Sequence, residues 1–394
     1  MACSRGLLLA FGVLVLVPLL LDSLLRALFV GLSWLSVPGH EPAALPEVSV
    51  AVVVPAHNEA ATVGDTVTRL RADPAAGAAF VIADHCSDQT AAAARAAGAQ
   101  VWEREGSVER GKAAALRWFL ETAREELSCY DAIAVFDADS IVEEVFLRHC
   151  LAVLSSGLDA VQGYVQPLSG GSSAADLAAY SEILSQRIDD QARLRLGWPT
   201  PLRGTGMVFR REAWEALVPK LRTRVEDMEL SLLLAAEGRT VRFVPQAVVG
   251  DPKPAAARGV AAQRGRWLQG QAEIWRAYWR EIFGLAFSGG PAIWSLLGAL
   301  LLKPKVLVLM ARLLLALVVC AIAIEPQWLN ALVDAVTALV VGLDAMYYVV
   351  GLRFVSDRRR YASALLRAPL YVLVWLWSAA LALVSRGSWL RARD

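Results

Sequence analysis

The sequence predicts an α/β protein with a doubly wound, mostly parallel sheet, joined to helices that enter a membrane. Short apolar runs alternate with helical stretches from residue 48 to residue 209, which is the pattern of parallel strands with crossover helices. Polar or acidic residues directly follow three of these runs, as expected where strand ends form a shared ligand edge. The chain is also 56% hydrophobic yet 20% charged, with mean hydropathy +0.44, a combination that favours a soluble domain plus several membrane spans.

The charge and cysteine content exclude several functional classes. The net charge of +1 gives no sign of nucleic-acid binding. The five cysteines are scattered without a C-x-x-C pair, and none of the four histidines lies at zinc-ligand spacing. We therefore expect reduced thiols, no structural metal and no nucleic-acid partner.

Each predicted strand of the α/β region is a short apolar run bounded by polar turns. The predicted helices are Ala60–Arg71, an alanine-rich stretch ending near Gly98, Arg110–Leu127 and Ala174–Leu196. The predicted strands are Val48–Val54, Phe80–Ala83, Ala99–Trp102, Ala132–Phe136, Val161–Val165 and Met207–Phe209.

The segment Ala132–Ser140, which reads AIAVFDADS, is the first candidate for a ligand site. Its apolar run ends at Phe136, and Asp137 and Asp139 follow with only the small Ala138 between them. Two carboxylates in this arrangement can hold a hard divalent cation that also binds phosphate oxygens. A lone D-x-D is more often a solvated acidic turn, so the other motifs of the chain must decide.

Apolar segments outside residues 46–257 predict three membrane-associated regions. Residues 1–37 are expected to be an uncleaved N-terminal membrane anchor, in which Asp22 and Arg26 could pair on one helix face. Residues 258–302 are expected to be interfacial helices, because Arg, Gln, Trp and Tyr recur at helical spacing in Arg258–Phe283. Within them Leu285–Leu302 is interfacial or re-entrant, since another span would put the arginine-rich loop near Arg359 outside. Residues 303–394 are expected to be a C-terminal transmembrane region, with spans at Lys305–Ile324, Trp328–Leu352 and about Pro369–Ser385.

The arginine distribution predicts the orientation in the membrane. Arg353 and the arginines around Arg359 lie between the last two predicted spans, and the positive-inside rule places that loop in the cytosol. The turn at Pro326 is then outside, and the α/β domain of residues 46–257 is cytosolic. We expect a multi-pass integral protein of the plasma membrane.

Two glycine motifs resemble nucleotide-binding loops but lack essential parts. In Gly106-x-x-x-x-Gly111-Lys112, Ala113 stands where a phosphate-binding loop has the Ser or Thr that holds magnesium. The stretch Gly204-Thr205-Gly206 lacks the third glycine of a dinucleotide fingerprint and precedes a strand. We reject both assignments, although Lys112 remains a candidate phosphate contact.

Five motifs in order resemble a known family. Taken singly, each has an ordinary structural explanation, such as a helix cap, an acidic first turn or an interfacial anchor. Together, between about Val48 and Gln271, they resemble the signature of membrane-bound family 2 glycosyltransferases, the group that contains cellulose, hyaluronan and poly-N-acetylglucosamine synthases. The motifs are VVVPAHNE ending at Glu59, ADHCSD containing Asp84, DAD with Asp137 and Asp139, VED with Glu226 and Asp227, and QRGRW from Gln263 to Trp267.

The resemblance implies a nucleotide-diphospho-sugar transferase (GT-A) fold and a role for each motif. Glu59 and Asp84 would hold the uracil and ribose of a UDP-sugar. Asp137 would help to seat the nucleotide, and Asp139 would bind Mg²⁺ or Mn²⁺ on its diphosphate. Asp227 would be the general base for the acceptor hydroxyl. The remaining implied substrate contacts are Gln263, Arg266 and Trp267 at the membrane boundary, Gly204 and Thr205 near the acceptor, and Lys112 near the nucleotide.

The resemblance therefore implies an inverting, metal-dependent membrane glycosyltransferase that adds a hexose or N-acetylhexosamine from a UDP-sugar to a growing polysaccharide. Its partners would be the UDP-sugar, a polysaccharide or lipid-linked acceptor and the lipid bilayer. One alternative is transfer of a single sugar to a lipid acceptor by the same residues. Another is a non-catalytic membrane scaffold or transporter, in which Arg312, Asp334 and Asp344 would be pathway charges.

Overall fold

The computed structural model of the protein describes residues 16–35, 48–106, 109–168, 171–253, 257–302, 305–320 and 326–369. Within these ranges the strands are β1 Val50–Ala56, β2 Ala76–Asp84, β3 Gln100–Arg104, β4 Ala132–Val135, β5 Ile141–Val142, β6 Ala160–Leu168, β7 Met207–Arg210 and β8 Val241–Pro252. The helices of the α/β region are α2 Val63–Ala72, α3 Thr90–Ala96, α4 Lys112–Thr122, α5 Arg124–Leu127, α6 Phe146–Leu154, α7 Ser173–Leu184, α8 Gln191–Leu196, α9 Arg211–Leu217 and α10 Glu226–Ala236. The flanking helices are α1 Val17–Leu32, α11 Ala257–Ser288, α12 Gly290–Leu301, α13 Lys305–Cys320, α14 Gln327–Gly351 and α15 Arg358–Leu366.

The eight strands form one mixed sheet in the order β3-β2-β1-β4-β7-β6-β8-β5. The β3-β2-β1-β4 half is entirely parallel, as the alternating pattern predicted. In the other half, β6 and β8 are parallel, whereas β7 is antiparallel to both β4 and β6, and β5 is antiparallel to β8. The prediction of a mostly parallel sheet is therefore correct for the first half and too simple for the second.

Strands β5 and β8 were not predicted, and their sequences explain why. Only two residues long, β5 gives no periodicity to detect. Polar Arg242 and the Pro245-Gln246 pair interrupt the apolar run of β8, and the pairing of β6 with β8 shifts register between Gly163 and Tyr164. The stretch predicted as one helix over Ala174–Leu196 is likewise divided, because a π-helix, Ser185–Asp190, separates α7 from α8.

The sheet is covered on both faces, and β1 shows how its sequence produces this. Val52 and Val54 lie in the core with α2 and α6, whereas Ala51 and Val53 lie in the core with α4, α9 and α10. All four side chains are fully buried. Successive residues of a strand point to opposite faces, so an uninterrupted apolar run suits a strand that is covered on both sides.

The parallel half of the sheet brings the predicted ligand loops to one edge. Strands β1, β2 and β4 run in the same direction and end at Ala56, Asp84 and Val135, respectively. The segments that follow them therefore meet at the carboxyl edge, where open α/β sheets bind ligands.

The flanking helices pack on the α/β domain through a separate cluster. Phe29 of α1 and Tyr347 of α14 lie in one buried cluster with Tyr180 of α7 and Ile188 of the π-helix. Among the described residues, one helical stretch, Gln327–Phe354, is long and apolar enough by length and composition to cross a membrane. Residues 1–15 and 36–37 of the predicted N-terminal anchor lie outside the described residues, as do residues 370–385 of the last predicted span.

Buried charges connect α1, α13 and α14. Arg312 Nη1 donates to both carboxylate oxygens of Asp344, each at 2.9 Å, and Arg312 also pairs with Asp22. The predicted pair within α1 is present, with Arg26 Nε 2.9 Å from Asp22 Oδ2. Each of these buried charges would be left uncompensated if its helix moved away, so the ion pairs hold α1, α13 and α14 together. Asp334 is not part of this group and accepts from the Asn330 side chain within α14.

Candidate active site

The Lys112 ammonium group is the point at which three segments of the carboxyl edge converge. Lys112 is the first residue of α4 and follows Gly111, whose φ of 107° is favourable only for glycine. Its Nζ donates to Asp137 Oδ1 and to the Gly204 carbonyl, both at 2.6 Å, and lies 3.1 Å from Glu226 Oε1. Burial alone would lower the pKa of Lys112, but the Asp137 and Glu226 carboxylates outweigh it and raise that pKa above its usual range. Lys112 therefore stays charged.

Glu226 is the most perturbed carboxyl group of the site. It opens α10, is only 7% exposed and has Lys112 as its ion-pair partner. Burial raises the pKa of Glu226 to about 7 against the opposing effect of Lys112, and the neighbouring Asp227 and Asp137 charges raise it further. The sequence pattern selected Asp227 as the base and gave no sign of this environment for Glu226.

Asp227 lies beside Glu226 but is more accessible. Its Oδ1 accepts from the Met228 amide at 2.8 Å, whereas its Oδ2 has no hydrogen-bond partner among the described residues. That oxygen lies 4.0 Å from the position that a Cβ on Gly204 would occupy, so it faces the Gly204–Gly206 loop. A partly exposed carboxylate next to this loop is suited to accept a proton from a bound hydroxyl group.

The Gly204–Gly206 loop requires its glycines and holds the DAD segment in place. Gly206 has φ of 65°, and a Cβ there would lie 2.8 Å from Val249 Cγ1. The Thr205 hydroxyl is buried, accepts from the Asp137 amide at 3.2 Å and lies 2.7 Å from Ser140 Oγ. Thr205 was predicted to contact substrate. In the structure, its hydroxyl fixes the conformation of the DAD segment, and its contact with substrate stays a prediction.

Asp137 and Asp139 offer a partial cation site. The Asp137 side chain is 42% exposed, and Asp139 is also partly exposed. Among the described residues, no three His, Cys, Asp or Glu side chains are grouped as ligands for one metal ion. The residues present fit a cation that takes these carboxylates from the protein and further oxygens from a bound diphosphate, since Mg²⁺ is commonly held in this way.

Asp84, a predicted nucleotide contact, lies in a buried, charged environment. Its side chain is buried, with Arg104 Nη1 donating to Oδ1 at 2.7 Å, His85 Nδ1 at the same distance from Oδ1, and the Gly111 amide 3.4 Å from Oδ2. Both oxygens thus have protein partners, and a nucleotide would have to displace one of them. Sequence reasoning missed Arg104, although opposite charges at the ends of two adjacent parallel strands were a usable signal.

The loops after β1 and β2 interlock beside Asp84. The Glu59 amide donates to Thr90 Oγ1 at 2.8 Å, and Glu59 Oε2 accepts from Thr62 at 3.0 Å. Asn58, with φ of 56°, accepts from the Ser87 amide at 2.7 Å. These contacts join the two loops next to Asp84, and the nucleotide contact of Glu59 stays a prediction.

The QRGRW helix reaches the site through its packing on α10. Gly270 lies so close to Val225 that an added Cβ would be 2.3 Å from Val225 Cγ1, so this glycine permits the approach of α11 to the residue before Glu226. Burial lowers the pKa of Arg266, and Trp267 is 39% exposed. The Gln263 side chain lies outside the described part of the structure.

Comparison with known proteins assigns the family. Residues 46–270, more than half of the chain, match the family model "Glycosyltransferase like family 2". A mannosyltransferase from Pyrobaculum calidifontis, solved with GDP-Man and Mn²⁺, is 18% identical, with a TM-score of 0.55 over 92% of this chain and 98% of that one. Glucosyl-3-phosphoglycerate synthase from Mycobacterium tuberculosis, solved with Mn²⁺, UDP-glucose and phosphoglyceric acid, is 23% identical, with a TM-score of 0.39 over 55% of this chain and 77% of that one.

No curated protein sequence is significantly similar to the chain. The fold of the mannosyltransferase nevertheless extends over nearly the whole chain, and the family match includes every segment that meets at Lys112. The protein belongs to glycosyltransferase family 2 and is a glycosyltransferase of the GT-A fold.

Proposed function

We propose that the protein transfers a hexose or N-acetylhexosamine from a UDP-sugar to a growing polysaccharide at a membrane, with inversion at the anomeric carbon. The observation that carries the proposal is the convergence of Asp137, Gly204 and Glu226 on Lys112, with Asp227 alongside. This arrangement combines a cation-binding pair, a fixed positive charge and an accessible carboxylate within one edge of the sheet. Such a set of groups suits transfer of a sugar from a diphosphate leaving group.

The donor side would be built by the DAD segment and Lys112. Asp137 and Asp139 would hold Mg²⁺ or Mn²⁺, which would supply positive charge to the leaving UDP. Lys112, already bound to Asp137, would add a second positive charge next to the diphosphate. Glu59 and Asp84 would lie on the nucleoside side of the site. The presence of GDP-Man and Mn²⁺ in the mannosyltransferase is compatible with a nucleotide-sugar donor and a divalent cation.

On the acceptor side, Asp227 would take the proton of the attacking hydroxyl group. Its Oδ2 faces the Gly204 loop, whereas Glu226 is buried and paired with Lys112. Gln263, Arg266 and Trp267 would contact the donor or the sugar at the mouth of the site. There Arg266 could pair with diphosphate oxygens and Trp267 could stack on a sugar face.

The aromatic ridge, Trp275, Trp279, Phe283 and Phe287 of α11, supports membrane association. Its members are spaced four residues apart on both sides of a kink at Tyr278 and are between 42% and 88% exposed. The ring centroids of Trp279 and Phe283, and those of Phe283 and Phe287, are 6.4 Å apart. Exposed aromatic side chains in a row are characteristic of helices at a bilayer interface. With the apolar α14 they support association with a membrane. The arginines around Arg359 favour the orientation with a cytosolic catalytic domain, in a multi-pass protein of the plasma membrane.

A single transfer to a lipid acceptor is the second candidate. It is favoured by the same ridge, because an interfacial surface beside α11 would bring a lipid-linked hydroxyl group close to the site. The acceptor side of the mechanism would be unchanged, since Asp227 would still take the proton.

The decisive experiment uses the purified full chain in lipid nanodiscs with radiolabelled UDP-sugars, and with GDP-mannose as a comparison donor. We expect metal-dependent incorporation from one UDP-sugar into a product that elutes as a polymer. A product that extracts into organic solvent with one sugar per lipid would replace the polysaccharide assignment by the lipid acceptor. If the chain neither transfers nor hydrolyses any of these donors, the proposed function is wrong.

The orientation has its own test by cysteine labelling in intact cells. Single cysteines at Asp131 and Arg359 should resist a membrane-impermeant reagent, whereas a cysteine at Pro326 should react. Labelling at Asp131 would place the catalytic domain outside and remove its access to cytosolic UDP-sugars.

A further inference from the structure

A buried carboxylate outside the motifs, Asp190, connects the interfacial helix α12 to the active-site loop. Asp190 is the last residue of the π-helix Ser185–Asp190 and is 0% exposed. Its Oδ1 accepts from Arg193 Nη1 at 2.8 Å, and its Oδ2 accepts from Arg203 Nε at 3.1 Å and also from Arg203 Nη2. Short π-helices occur frequently at functional sites, because the extra residue redirects side chains that a regular helix would point elsewhere.

One arm of this network leads to the active site. Arg203 directly precedes Gly204, whose carbonyl accepts from Lys112 at 2.6 Å. The Arg203 amide donates to Gln162 Oε1 at 2.9 Å, and Gln162 Nε2 donates to the Thr205 carbonyl at 2.9 Å. The guanidinium group and the backbone of Arg203 are therefore both held by buried partners, and its position determines where the Gly204–Gly206 loop begins.

The other arm leads to α12. Arg193 Nε donates to Ser295 Oγ at 3.1 Å, and Arg193 Nη2 donates to the Ser295 carbonyl at 3.0 Å. Leu296 and Leu297, which follow Ser295, lie in a buried cluster with Met228 of α10 and Ile274 of α11. The position of α12 is thus coupled to that of Arg203 through Arg193 and Asp190.

The charges make this connection stiff. Two buried guanidinium groups share one buried carboxylate, so neither arginine can move away without losing its compensating charge. Removing one partner of a buried ion pair strongly destabilises the folded protein, because the remaining charge is left uncompensated. The neighbouring Asp189 serves a different contact, a hydrogen bond to Tyr347 of α14.

We propose that Asp190 is a positioning residue for the transferase, which fixes the Arg203–Gly206 loop, and hence the acceptor side of the site, according to the seating of α12. The consequence for catalysis rests on the proposed function, whereas the physical coupling of α12 to the loop does not. A change in α12 at the membrane would then alter the alignment of the acceptor with Asp227 and, through Thr205, the position of the DAD segment.

The coupling is tested by hydrogen–deuterium exchange of the full chain in lipid nanodiscs. Ser295→Ala removes the hydroxyl contact with Arg193 on α12, and we expect amide exchange in residues 203–206 to rise about tenfold, because the loop opens more often. Ser288→Ala, which removes a contact within α11 alone, is the matched control and should leave the loop unchanged. Faster exchange confined to α12 would show that Ser295 has only a local role and would overturn the proposal.

The catalytic consequence is tested on Asp190→Asn and Asp189→Asn. With the donor that the native chain uses, Asp190→Asn should lower the ratio of transfer to donor hydrolysis about tenfold, and Asp189→Asn should not. Arg203→Gln should add little to Asp190→Asn, and Arg203→Lys, which retains the charge, should preserve most of the ratio. Equal effects of the two Asp variants, or additive effects of Asp190 and Arg203, would contradict a positioning role.

Failure of this proposal can be distinguished from failure of the proposed function. If the native chain turns over no donor, the transferase assignment is wrong, and the exchange measurement on Ser295→Ala still decides the coupling. If Asp190→Asn does not fold, the Ser295→Ala variant gives the transfer ratio and the exchange in the same sample.

Discussion

The Lys112 ammonium group lies 2.6 Å from the Asp137 carboxylate and joins the start of α4 to the first acid of the DAD segment. Because Glu226 and the Gly204 carbonyl contact the same ammonium group, this lysine determines the charge balance of the whole site. With Lys112 in place, the site holds a fixed positive charge next to the expected position of the diphosphate.

Replacing Lys112 by Met should therefore lower turnover by about 10²–10³, since this is the usual cost of removing one preorganised positive or donor group from a transfer site. It should also reduce the free energy of unfolding by about 3–5 kcal/mol, because buried Glu226 loses its partner. Lys220→Met is the matched control, since Lys220 forms an exposed ion pair with Glu237. Steady-state kinetics and denaturant unfolding measure both effects. Native-like turnover of Lys112→Met would exclude the lysine from the site.

The cation site predicts a dependence on divalent metal. EDTA should abolish transfer, Mn²⁺ or Mg²⁺ should restore it, and Asp139→Asn should remain inactive after metal is returned, because a carboxylate ligand is lost. Asp131→Asn is the matched control, because Asp131 lies at the opposite end of β4 and its Oδ2 accepts from the Ser49 amide at 2.9 Å. Mn²⁺ binding followed by electron paramagnetic resonance gives a readout that does not need turnover. Full activity of Asp139→Asn in EDTA would refute the metal assignment.

The sequence predicted those parts of the site whose positions follow from a single short segment of the chain. Glu59, Asp84 and Asp137 each follow an apolar run, and parallel strands bring their ends to one edge, so their proximity could be predicted. Contacts that join distant segments could not. Lys112 meets the Gly204 carbonyl, 92 positions away in sequence, and nothing in either segment indicates the other.

The contacts of Asp84 and Thr205 that the sequence did not reveal have the same physical cause. The Asp84–Arg104 pair depends on the register of β2 with β3, and the buried role of Thr205 depends on the approach of its loop to the DAD segment. The antiparallel β7 was predicted as a strand, but its direction depends on its pairing with β4 and β6. The sequence pattern does not indicate which strands pair.

The raised pKa of Glu226 predicts how stability depends on pH. A carboxyl group with a pKa of about 7 in the folded state, against 4.5 ordinarily, binds its proton more tightly when folded. Its contribution is therefore fully present below about pH 4.5 and is lost as the pH rises to about 7, by roughly 3 kcal/mol in total. The stability difference between the native chain and Glu226→Gln should fall by most of that amount between pH 5 and pH 8, because the first part of the loss occurs below pH 5.

Glu237→Gln is the control for this titration. Its hydrogen bond with Lys220 lowers the pKa of Glu237, so its contribution is complete above the ordinary pKa and should stay constant over the same pH range. Chemical unfolding at each pH measures the differences. A constant difference for Glu226→Gln between pH 5 and pH 8 would show that Glu226 is already ionised at pH 5.

Asp227 and Glu226 are the two candidates for the general base, and the structure favours Asp227. Its Oδ2 faces the Gly204 loop without a hydrogen-bond partner among the described residues, whereas Glu226 is buried and 3.1 Å from Lys112. Asp227→Asn keeps the size of the side chain and its contact with the Met228 amide but cannot take a proton. We expect turnover to fall by about 10²–10⁴ while UDP affinity stays near native.

Asp84→Asn provides the contrast that makes this measurement specific. It breaks the buried pair with Arg104, so it should weaken UDP binding and lower stability, with a smaller loss of turnover at saturating donor. Calorimetric UDP affinity and kcat are measured on both variants side by side. If Asp227→Asn lost UDP affinity yet kept near-native kcat at saturation, Asp227 would be a binding residue. Glu226 would then be the next candidate, because a pKa of about 7 lets it exchange a proton near neutral pH.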